Sequence, residues 1–232
     1  MKSQNGEARF DSGLSERSME ARLGMGRGIF FLVAGPAGVG KTTLLKRLVG
    51  EEKSLVKAVS VTTRAPRPGE IDGVAYHFWA AARFMAAVEG GEFLEHAVVH
   101  GNHYGTLHRF VEEKLEAGID VVKDIDVQGV EKIRTMEAYA FPRSVAIFVM
   151  PPSRDELLNR LQSRGSDDSL SLAVRIKAAD AEMARVAEYE YVVVNDSLEE
   201  GLAKLKAIRL AEHCRRERLG QLEVDRRKHG TT

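Results

Sequence analysis

Apolar runs and amphipathic stretches alternate along most of this chain. The apolar run Ile29–Ala34 predicts a buried strand, and the periodic stretch Lys41–Val49 predicts the helix that follows it. Strands followed by helices are predicted again at residues 120–126 and 128–136, at 144–150 and 154–164, and at 191–194 and 198–218. Repeated strand–helix units are typical of a parallel sheet with helices on its faces. The pattern therefore predicts an α/β fold.

Between the first two of these units the pattern changes to short strands and turns. Strands are predicted at 56–61, 74–79, 92–99 and 104–106, with a basic, turn-rich segment at 63–73 and an amphipathic helix at 81–89. A helix at Phe110–Ala117, stopped by Gly118, leads back to the next unit. A polar helical segment at 169–187 precedes the last strand. We therefore expect a β-rich lobe and a helical segment to be inserted in the α/β core.

The composition limits what such a fold binds and where it works. The 232 residues include 34 basic and 34 acidic side chains, so the net charge of zero gives no general attraction to nucleic acid or to an acidic membrane. The single cysteine cannot form an intrachain disulfide, which suits a reducing compartment. No apolar run approaches the ~20 residues of a membrane helix. We expect one folded domain in the cytoplasm, with no nucleic-acid or membrane partner.

One motif with a specific chemistry follows the first strand directly. It is a complete G-x-x-x-x-G-K-[ST] loop made of Gly35, Pro36, Ala37, Gly38, Val39, Gly40, Lys41 and Thr42. In such a loop the glycines let backbone N–H groups converge on phosphates, the lysine reaches the β- and γ-phosphates, and the hydroxyl can bind Mg²⁺. The helix that follows directs the positive end of its dipole at the same anion. The chain is therefore predicted to bind a nucleoside triphosphate.

A phosphate-binding loop alone is compatible with GTPases, ATP-driven motors and kinases of small molecules. The sequence has no Asn-Lys-x-Asp element of the kind that GTPases use to recognise guanine, which counts against a switch protein. The acceptor of the phosphate has to be found in the rest of the chain.

The segments 60–70 (SVTTRAPRPGE) and 73–78 (GVAYHF) resemble the acceptor region of guanylate kinases, a family of P-loop nucleoside monophosphate kinases. The resemblance continues in family order through residues 93–95, 101–106, 124–129, 151–153, 160–165, 175 and 195–196. It implies ATP-dependent phosphoryl transfer to GMP, and to dGMP, giving GDP or dGDP and ADP in purine nucleotide metabolism. It also implies Mg²⁺ as cofactor and a monomer or weak homo-oligomer.

The resemblance also implies how the chain is divided. The P-loop NTPase-type core is expected at 27–59, 111–152 and 190–218, the GMP-binding lobe at 60–110 and the helical lid at 153–189. Residues 1–26 are polar and lack periodicity, so they are expected to form a flexible extension, and 219–232 to form a flexible tail.

Several residue types fit the binding of a guanine nucleotide. Arg64 and Arg67, three residues apart on a turn stiffened by proline, can present two guanidinium groups to one phosphate. Glu95 can accept hydrogen bonds from N1–H and the 2-amino group of guanine, which adenine lacks. Tyrosine hydroxyls add neutral donors. With these and the resemblance, the predicted GMP-binding residues are Ser60, Arg64, Arg67, Tyr76, Glu95, Tyr104, Thr106 and Asp126.

Phosphoryl transfer to a nucleotide needs positioning and positive charge more than proton abstraction, because the acceptor phosphate is already ionised near pH 7. By resemblance, the catalytic residues are Lys41, Arg67, Arg164 and Arg175. The predicted ATP-binding residues are the loop 35–42 with Thr43, Arg160, Asn195 and Asp196. Thr42 and Asp124 are predicted to hold Mg²⁺, the carboxylate through water.

Two positions depart from the family pattern. Ala75 stands where an acidic residue is usual, so we expect a looser acceptor turn. Lys123 interrupts an otherwise aliphatic strand, where it either reaches the surface or pairs with a carboxylate.

Two rival functions remain at the level of sequence. One is a guanylate-kinase-like scaffold that binds a protein, but such scaffolds have degraded phosphate loops and this loop is complete. The other is a kinase of the same fold that acts on a sugar phosphate, which should lack Glu95 and the pair Arg64 and Arg67.

Overall fold

A parallel sheet forms the centre of the structure, a computed structural model that describes residues 27–99, 101–137, 144–163 and 169–215. The described strands are β1 (Phe30–Ala34), β2 (Leu55–Lys57), β3 (Val61–Thr62), β4 (His77–Phe78), β5 (Phe93–Val99), β6 (Asn102–Leu107), β7 (Asp120–Asp124), β8 (Val145–Met150) and β9 (Tyr191–Val194). The central sheet has the order β2-β7-β1-β8-β9, and its neighbouring strands are all parallel. Residues 27–213 belong to one compact unit.

Helices cover both faces of this sheet. They are α1 (Lys41–Glu51), α2 (Ala81–Glu89), α3 (His108–Glu116), α4 (Val127–Glu137), α5 (Arg154–Ser163), α6 (Ser169–Met183) and α7 (Leu198–His213), with a 3₁₀ turn at Val186–Glu188. Side chains of α1 and α7 pack with Phe31 and Val33 on one face, and those of α3 and α4 pack with Phe30 and Leu32 on the other. Burial on both faces explains why β1 is apolar at every position.

A second sheet, in the order β4-β3-β6-β5, forms the inserted lobe. Its hairpin β5–β6 is antiparallel, and β3 pairs antiparallel to β6 and parallel to β4. The lobe has a small core of its own, in which the rings of Phe84 and Phe93 stack with centroids 4.5 Å apart. This confirms the predicted fold class: a parallel sheet flanked by helices, with a β-rich lobe between α1 and α3.

The prediction of one strand at 56–61 is wrong. Residues 55–57 pair with β7 in the central sheet, whereas residues 61–62 pair in the sheet of the lobe. The intervening residues carry the chain from one sheet to the other. The strand predicted at 74–79 is also shorter, because Asp72 accepts the backbone N–H of Phe78 (2.8 Å) and closes a turn ahead of β4.

The last helix is fixed to the central sheet through a buried carboxylate. Asp120 accepts the backbone N–H of Ile29 (2.7 Å) and Nε of Arg209 (2.6 Å), and its Oδ2 lies 2.8 Å from Nε2 of His213. Burial alone would raise the pKa of Asp120, but the hydrogen bonds from His213, Ile29 and Arg209 outweigh burial and hold the pKa below its usual value. The carboxylate thus joins β7, β1 and α7.

None of the helices in the described part of the chain is both long and apolar enough to cross a membrane.

Replacing this carboxylate should destabilise the core. We expect Asp120→Asn to lower the free energy of unfolding by about 3 kcal/mol at pH 7, because it removes the buried negative charge that pairs with the partly buried Arg209 and accepts from the backbone of Ile29. Asp155→Asn, which changes an exposed acid on α5, should alter it by less than about 0.5 kcal/mol. Because the folded pKa of Asp120 lies below the unfolded one, the difference should persist above about pH 4 and narrow below it. Urea unfolding at several pH values measures this, and equal stabilities of wild type and Asp120→Asn at pH 7 would contradict it.

Candidate active site

The phosphate-binding loop leaves β1 and enters α1 in a conformation that two glycines make possible. Gly35 has φ +138°, and a Cβ there would lie 2.2 Å from the backbone oxygen of Val149 in the neighbouring strand β8. Gly40 has φ +97°, and a Cβ there would lie 2.6 Å from Nδ2 of Asn195. The loop therefore approaches its neighbours too closely for any other residue, and its backbone turns into the N-terminus of α1.

Lys41 and Asn195 hold this loop in place. The ammonium of Lys41 donates to the backbone oxygen of Gly35 and lies 3.2 Å from that of Pro36, so it lies along its own loop. The buried amide of Asn195 donates to the backbone oxygen of Val39 (2.7 Å). Asn195 thus supports the phosphate-binding loop. It was predicted to bind ATP together with that loop. The predicted contact with ATP stays a prediction, as does that of the exposed Asp196.

Two oxygen-bearing side chains meet at the end of the loop. The hydroxyl of Thr42 donates to Oδ2 of Asp124 at 3.2 Å. They meet because β1 and β7 are parallel neighbours with Val33 opposite Asp124, so that both strands end at the same edge of the sheet. This is the pair that the sequence predicted to lie together.

The predicted phosphate clamp is partly assembled. Arg64 donates to Glu70 (2.8 Å), and its guanidinium carbon lies 5.4 Å from the ring centroid of Tyr76. The rings of Tyr76 and Tyr104 meet edge to face, 5.8 Å apart, and the Tyr104 hydroxyl also interacts with Arg64. Arg67 is exposed on the turn. Three of the four predicted phosphate-binding side chains therefore form one cluster.

Glu70 is a residue of this cluster that sequence reasoning missed. Its carboxylate accepts the side chain of Arg64 and, at 2.7 Å, the backbone N–H of Arg67. The guanidinium of Arg64 and this N–H hold the pKa of Glu70 below its usual value. A looser acceptor turn was expected because Ala75 replaces an acidic residue. The hydrogen bonds of Glu70 and Asp72 nevertheless order this segment. An acid three residues after Arg67 in a tight turn was the available signal.

Two residues after Tyr104 on β6, Thr106 stands opposite Glu95 of β5. The hydroxyl of Thr106 donates to Oε1 of Glu95 at 2.5 Å.

Lys123 is 3% exposed, so the prediction that it reaches the surface is wrong. Its ammonium donates to the hydroxyl of Ser60. Burial lowers the pKa of Lys123 to about 8, and the charge of Glu95 partly opposes that shift.

A cleft of about 520 Å³ lies between the phosphate loop, the end of β7 and Tyr76 of the lobe. Its lining does not include the described predicted residues Arg64, Arg67, Glu95, Tyr104 and Thr106. The predicted site residues that line it are Gly35, Ala37, Lys41, Thr42, Ser60, Tyr76, Asp124 and Asp126. Asp126 also accepts the backbone N–H of Gly129 (2.7 Å) and caps α4. Glu182 of α6 lines the cleft as well, and burial raises its pKa. Glu182 was not among the predicted site residues, because in the sequence nothing distinguishes it from the other charged residues of a polar helix.

Of the arginines predicted for the lid, Arg160 and Arg175 are described, and neither lines this cleft. Arg160 donates to Glu156 (2.8 Å) and to the backbone oxygen of Asn195 (3.4 Å), at the edge of the phosphate loop. Arg175 is exposed on α6, and Arg164 lies outside the described residues. The structure thus brings the donor loop, the wall of the acceptor lobe and one lid helix to one cleft, while the catalytic role of the arginines stays a prediction.

A P-loop core, an inserted lobe with a clustered arginine and two tyrosines, and a helical segment bordering the same cleft define the class of nucleoside monophosphate kinases. Residues 28–212 match the family model described as guanylate kinase, so the chain belongs to the guanylate kinase family. The resemblance inferred from the motifs is confirmed.

Individual relatives agree with the family model. A guanylate kinase of Dechloromonas aromatica (strain RCB) is 44% identical over 181 residues, which cover 78% of this chain and 88% of that protein. One of Alkalilimnicola ehrlichii is 45% identical over 191 residues, covering 82% and 92%. The crystal structure of guanylate kinase from Anaplasma phagocytophilum superposes with a TM-score of 0.69 at 31% identity, covering 89% of this chain and 98% of that one.

The geometry of Gly40 gives a test of the loop. Gly40→Ala should raise the KM for ATP at least about tenfold, because left-handed backbone is unfavourable for alanine and its methyl group would displace Asn195. Gly50→Ala, in the same helix, meets nothing within 4 Å and should leave that KM unchanged. Steady-state kinetics compares the two variants. A normal KM in Gly40→Ala would contradict the assigned role of the loop.

Proposed function

We propose that this chain transfers the γ-phosphoryl group of ATP to GMP, giving ADP and GDP, and that it also accepts dGMP. The observation that carries the proposal is the common cleft: Lys41 of a complete phosphate-binding loop and Tyr76 of the acceptor cluster both line it. A donor and an acceptor phosphate bound at these two places would share one cleft, from which closure of residues 153–189 is proposed to exclude water. Such proximity and exclusion of water favour transfer between nucleotides over hydrolysis.

On the donor side, the N–H groups of residues 35–42 and Thr43 and the N-terminus of α1 bind the phosphates of ATP. Lys41 leaves the backbone oxygens of its own loop and neutralises charge that develops on the transferred group. Asn195 keeps the loop in shape from the buried side, with Asp196 and Arg160 beside it.

On the acceptor side, Arg64, Arg67 and the hydroxyls of Tyr76 and Tyr104 bind the phosphate of GMP. Arg64 is held at the tyrosines by Glu70, so part of the cost of ordering a flexible side chain is met before the ligand binds. The acceptor oxygens are ionised near neutral pH, since the second pKa of a phosphate monoester is about 6. The reaction therefore needs no general base.

The base of GMP is recognised where Glu95 and Thr106 face each other on β5 and β6. Glu95 accepts from N1–H and the 2-amino group, while the hydroxyls of Ser60 and Thr106 and the carboxylate of Asp126 complete the contacts. The hydrogen bond from Thr106 holds the Glu95 carboxylate in one orientation. Buried polar groups that are satisfied only by guanine reject adenine, because adenine leaves them unpaired.

We propose Mg²⁺ as the cofactor, held by Thr42 and, through water, by Asp124. A hydroxyl and a carboxylate 3.2 Å apart at the end of a phosphate loop are the hard oxygen donors that this ion prefers. When bound, the ion supplies positive charge at the β- and γ-phosphate oxygens.

Three arginines of the lid are part of the proposed mechanism. Arg160, Arg164 and Arg175 are proposed to approach the phosphates when residues 153–189 close over the cleft. The division into core, lobe 60–110 and lid, the cytoplasmic location and a monomeric or weakly associated state stay predictions.

A nucleotide panel tests the activity. With ATP and Mg²⁺, coupled ADP release should be seen with GMP and dGMP and not with AMP, CMP or UMP. Binding of GMP without ADP release would instead indicate a scaffold, and silence with every nucleotide would indicate another acceptor. Turnover of a nucleotide that lacks guanine would contradict the proposal.

The recognition of the base is tested by Glu95→Gln. The new amide donor opposes the donors of guanine, so kcat/KM for GMP should fall by about 100-fold or more while the KM for ATP is unchanged. Glu89→Gln, an exposed residue at the end of α2, serves as the matched control and should change neither value. An unaltered kcat/KM for GMP in Glu95→Gln would show that another group recognises the base.

A further inference from the structure

A buried lysine forms part of the wall of the cleft and has no role in the mechanism described above. Lys123 lies in β7, opposite Leu32 of β1, and is 3% exposed while lining the cleft. Its neighbours in the strand, Val121 and Val122, are apolar and buried. Burying an ammonium among apolar strands is costly unless the charge is used for a specific contact.

The contact that Lys123 makes is with a residue of the acceptor lobe. Its ammonium donates to the hydroxyl oxygen of Ser60, which lies between β2 and β3 and lines the same cleft. The charged groups that act on Lys123 are Glu95 on β5, Lys57 on β2 and the adjacent Asp124. The lysine thus connects the central sheet to the end of the lobe where Glu95 and Thr106 meet.

This contact determines which way the Ser60 hydroxyl points. An ammonium has only donors, so the Ser60 oxygen must accept from it. The hydroxyl proton is then turned away from Lys123 and is available to a ligand. Ser60 therefore acts as a donor, strengthened by the positive charge behind it.

The hydroxyl donor of Ser60, bonded to this ammonium, and the carboxylate acceptor of Glu95, whose charge acts on the same ammonium, match a particular edge of a base. Guanine presents an acceptor, O6, next to a donor, N1–H. Adenine presents the reverse order, a 6-amino donor next to the acceptor N1. We propose that Lys123 is a positioning residue for base selection, which fixes the hydroxyl of Ser60 as a donor to the 6-oxo group of GMP. The proposal rests on the proposed function, because it presumes that GMP occupies the lobe.

Three acceptor nucleotides separate this role from a general effect. GMP has both the 6-oxo and the 2-amino group, IMP keeps the 6-oxo group and lacks the 2-amino group, and 6-thio-GMP keeps the donors but has a weakly accepting sulfur at position 6. In Lys123→Met, kcat/KM for GMP and IMP should fall together by about tenfold or more, the worth of a charge-assisted hydrogen bond. The value for 6-thio-GMP should fall by less than about threefold, and the KM for ATP should be unchanged.

Lys204→Met is the matched control, since Lys204 is an exposed lysine of α7. It should leave all three acceptors unaffected. Methionine is close to lysine in length and suits the apolar strand, so thermal unfolding should show that Lys123→Met is folded. Equal losses for GMP and 6-thio-GMP, or no loss for GMP, would overturn the proposal.

Ser60→Ala gives a second route to the same conclusion. If Lys123 acts through Ser60, Ser60→Ala should reproduce the pattern of losses. The kcat/KM of the double variant should then lie within about threefold of that of the less active single variant. Losses that multiply in the double variant would show that Lys123 acts independently of Ser60. Should Lys123→Met fail to fold, a Ser60→Ala variant that loses no more activity with GMP than with 6-thio-GMP would still overturn the proposal. Absence of GMP turnover in the wild type would reject the proposed function, whereas normal turnover without these patterns would reject only the role of Lys123.

Discussion

The parallel pairing of β1 with β7 is the constraint on which the site depends. The register sets Phe30 opposite Val121 and Val33 opposite Asp124, so that the phosphate loop and the carboxyl end of β7 leave the sheet side by side. This pairing brings Thr42 to Asp124, sets Lys123 at the cleft and ties Ile29 to the buried Asp120. A slip of one residue would turn each of these side chains to the other face of the sheet, because side chains alternate along a strand. The same contacts that stabilise the core therefore position the chemistry.

The charges around the cleft show why the acceptor lobe needs its arginines. The lining includes three lysines, Lys41, Lys57 and Lys123, and three acids, Asp124, Asp126 and Glu182. These charges balance, so they cannot by themselves compensate the negative charge of two nucleotides held close together. In the proposed reaction, Arg64 and Arg67 from the lobe, a divalent cation at Thr42 and Asp124, and arginines of residues 153–189 would supply the difference. In this proposal the cation and the lid arginines add positive charge only when the nucleotides bind. Without nucleotides, the charges that line the cleft sum to zero.

The parts of the molecule that could be predicted from sequence are those encoded by local patterns. The strand before the phosphate loop is apolar at every position because both of its faces are buried, and the loop needs glycine where its backbone approaches Val149 and Asn195. The family resemblance then indicated the acceptor residues, of which Arg64, Tyr76 and Tyr104 do cluster. These features can be predicted because each one leaves a short motif or an apolar run in the sequence.

What could not be predicted depends on contacts between distant segments. The run 56–61 looks like one strand, and only the pairing partners β7 and β6 show that it divides between two sheets. Lys123 looked like an irregularity because its partner, Ser60, lies 63 positions away. Glu182 is one acid among many until the packing of α6 brings it to the cleft. Such roles depend on contacts between residues that are far apart in the sequence, and no short sequence pattern indicates them.

The central claim is that two anion-binding sites share one cleft, one at the loop of Lys41 and the other at Arg64, Tyr76 and Tyr104. A crystal structure of the protein with ADP and GMP bound together tests it most directly. The account predicts the ADP phosphates on residues 35–42 and the GMP phosphate between Arg64 and the two tyrosines, with its oxygens directed at the terminal phosphate of ADP. A GMP phosphate bound away from this cluster, or directed away from the loop, would contradict it.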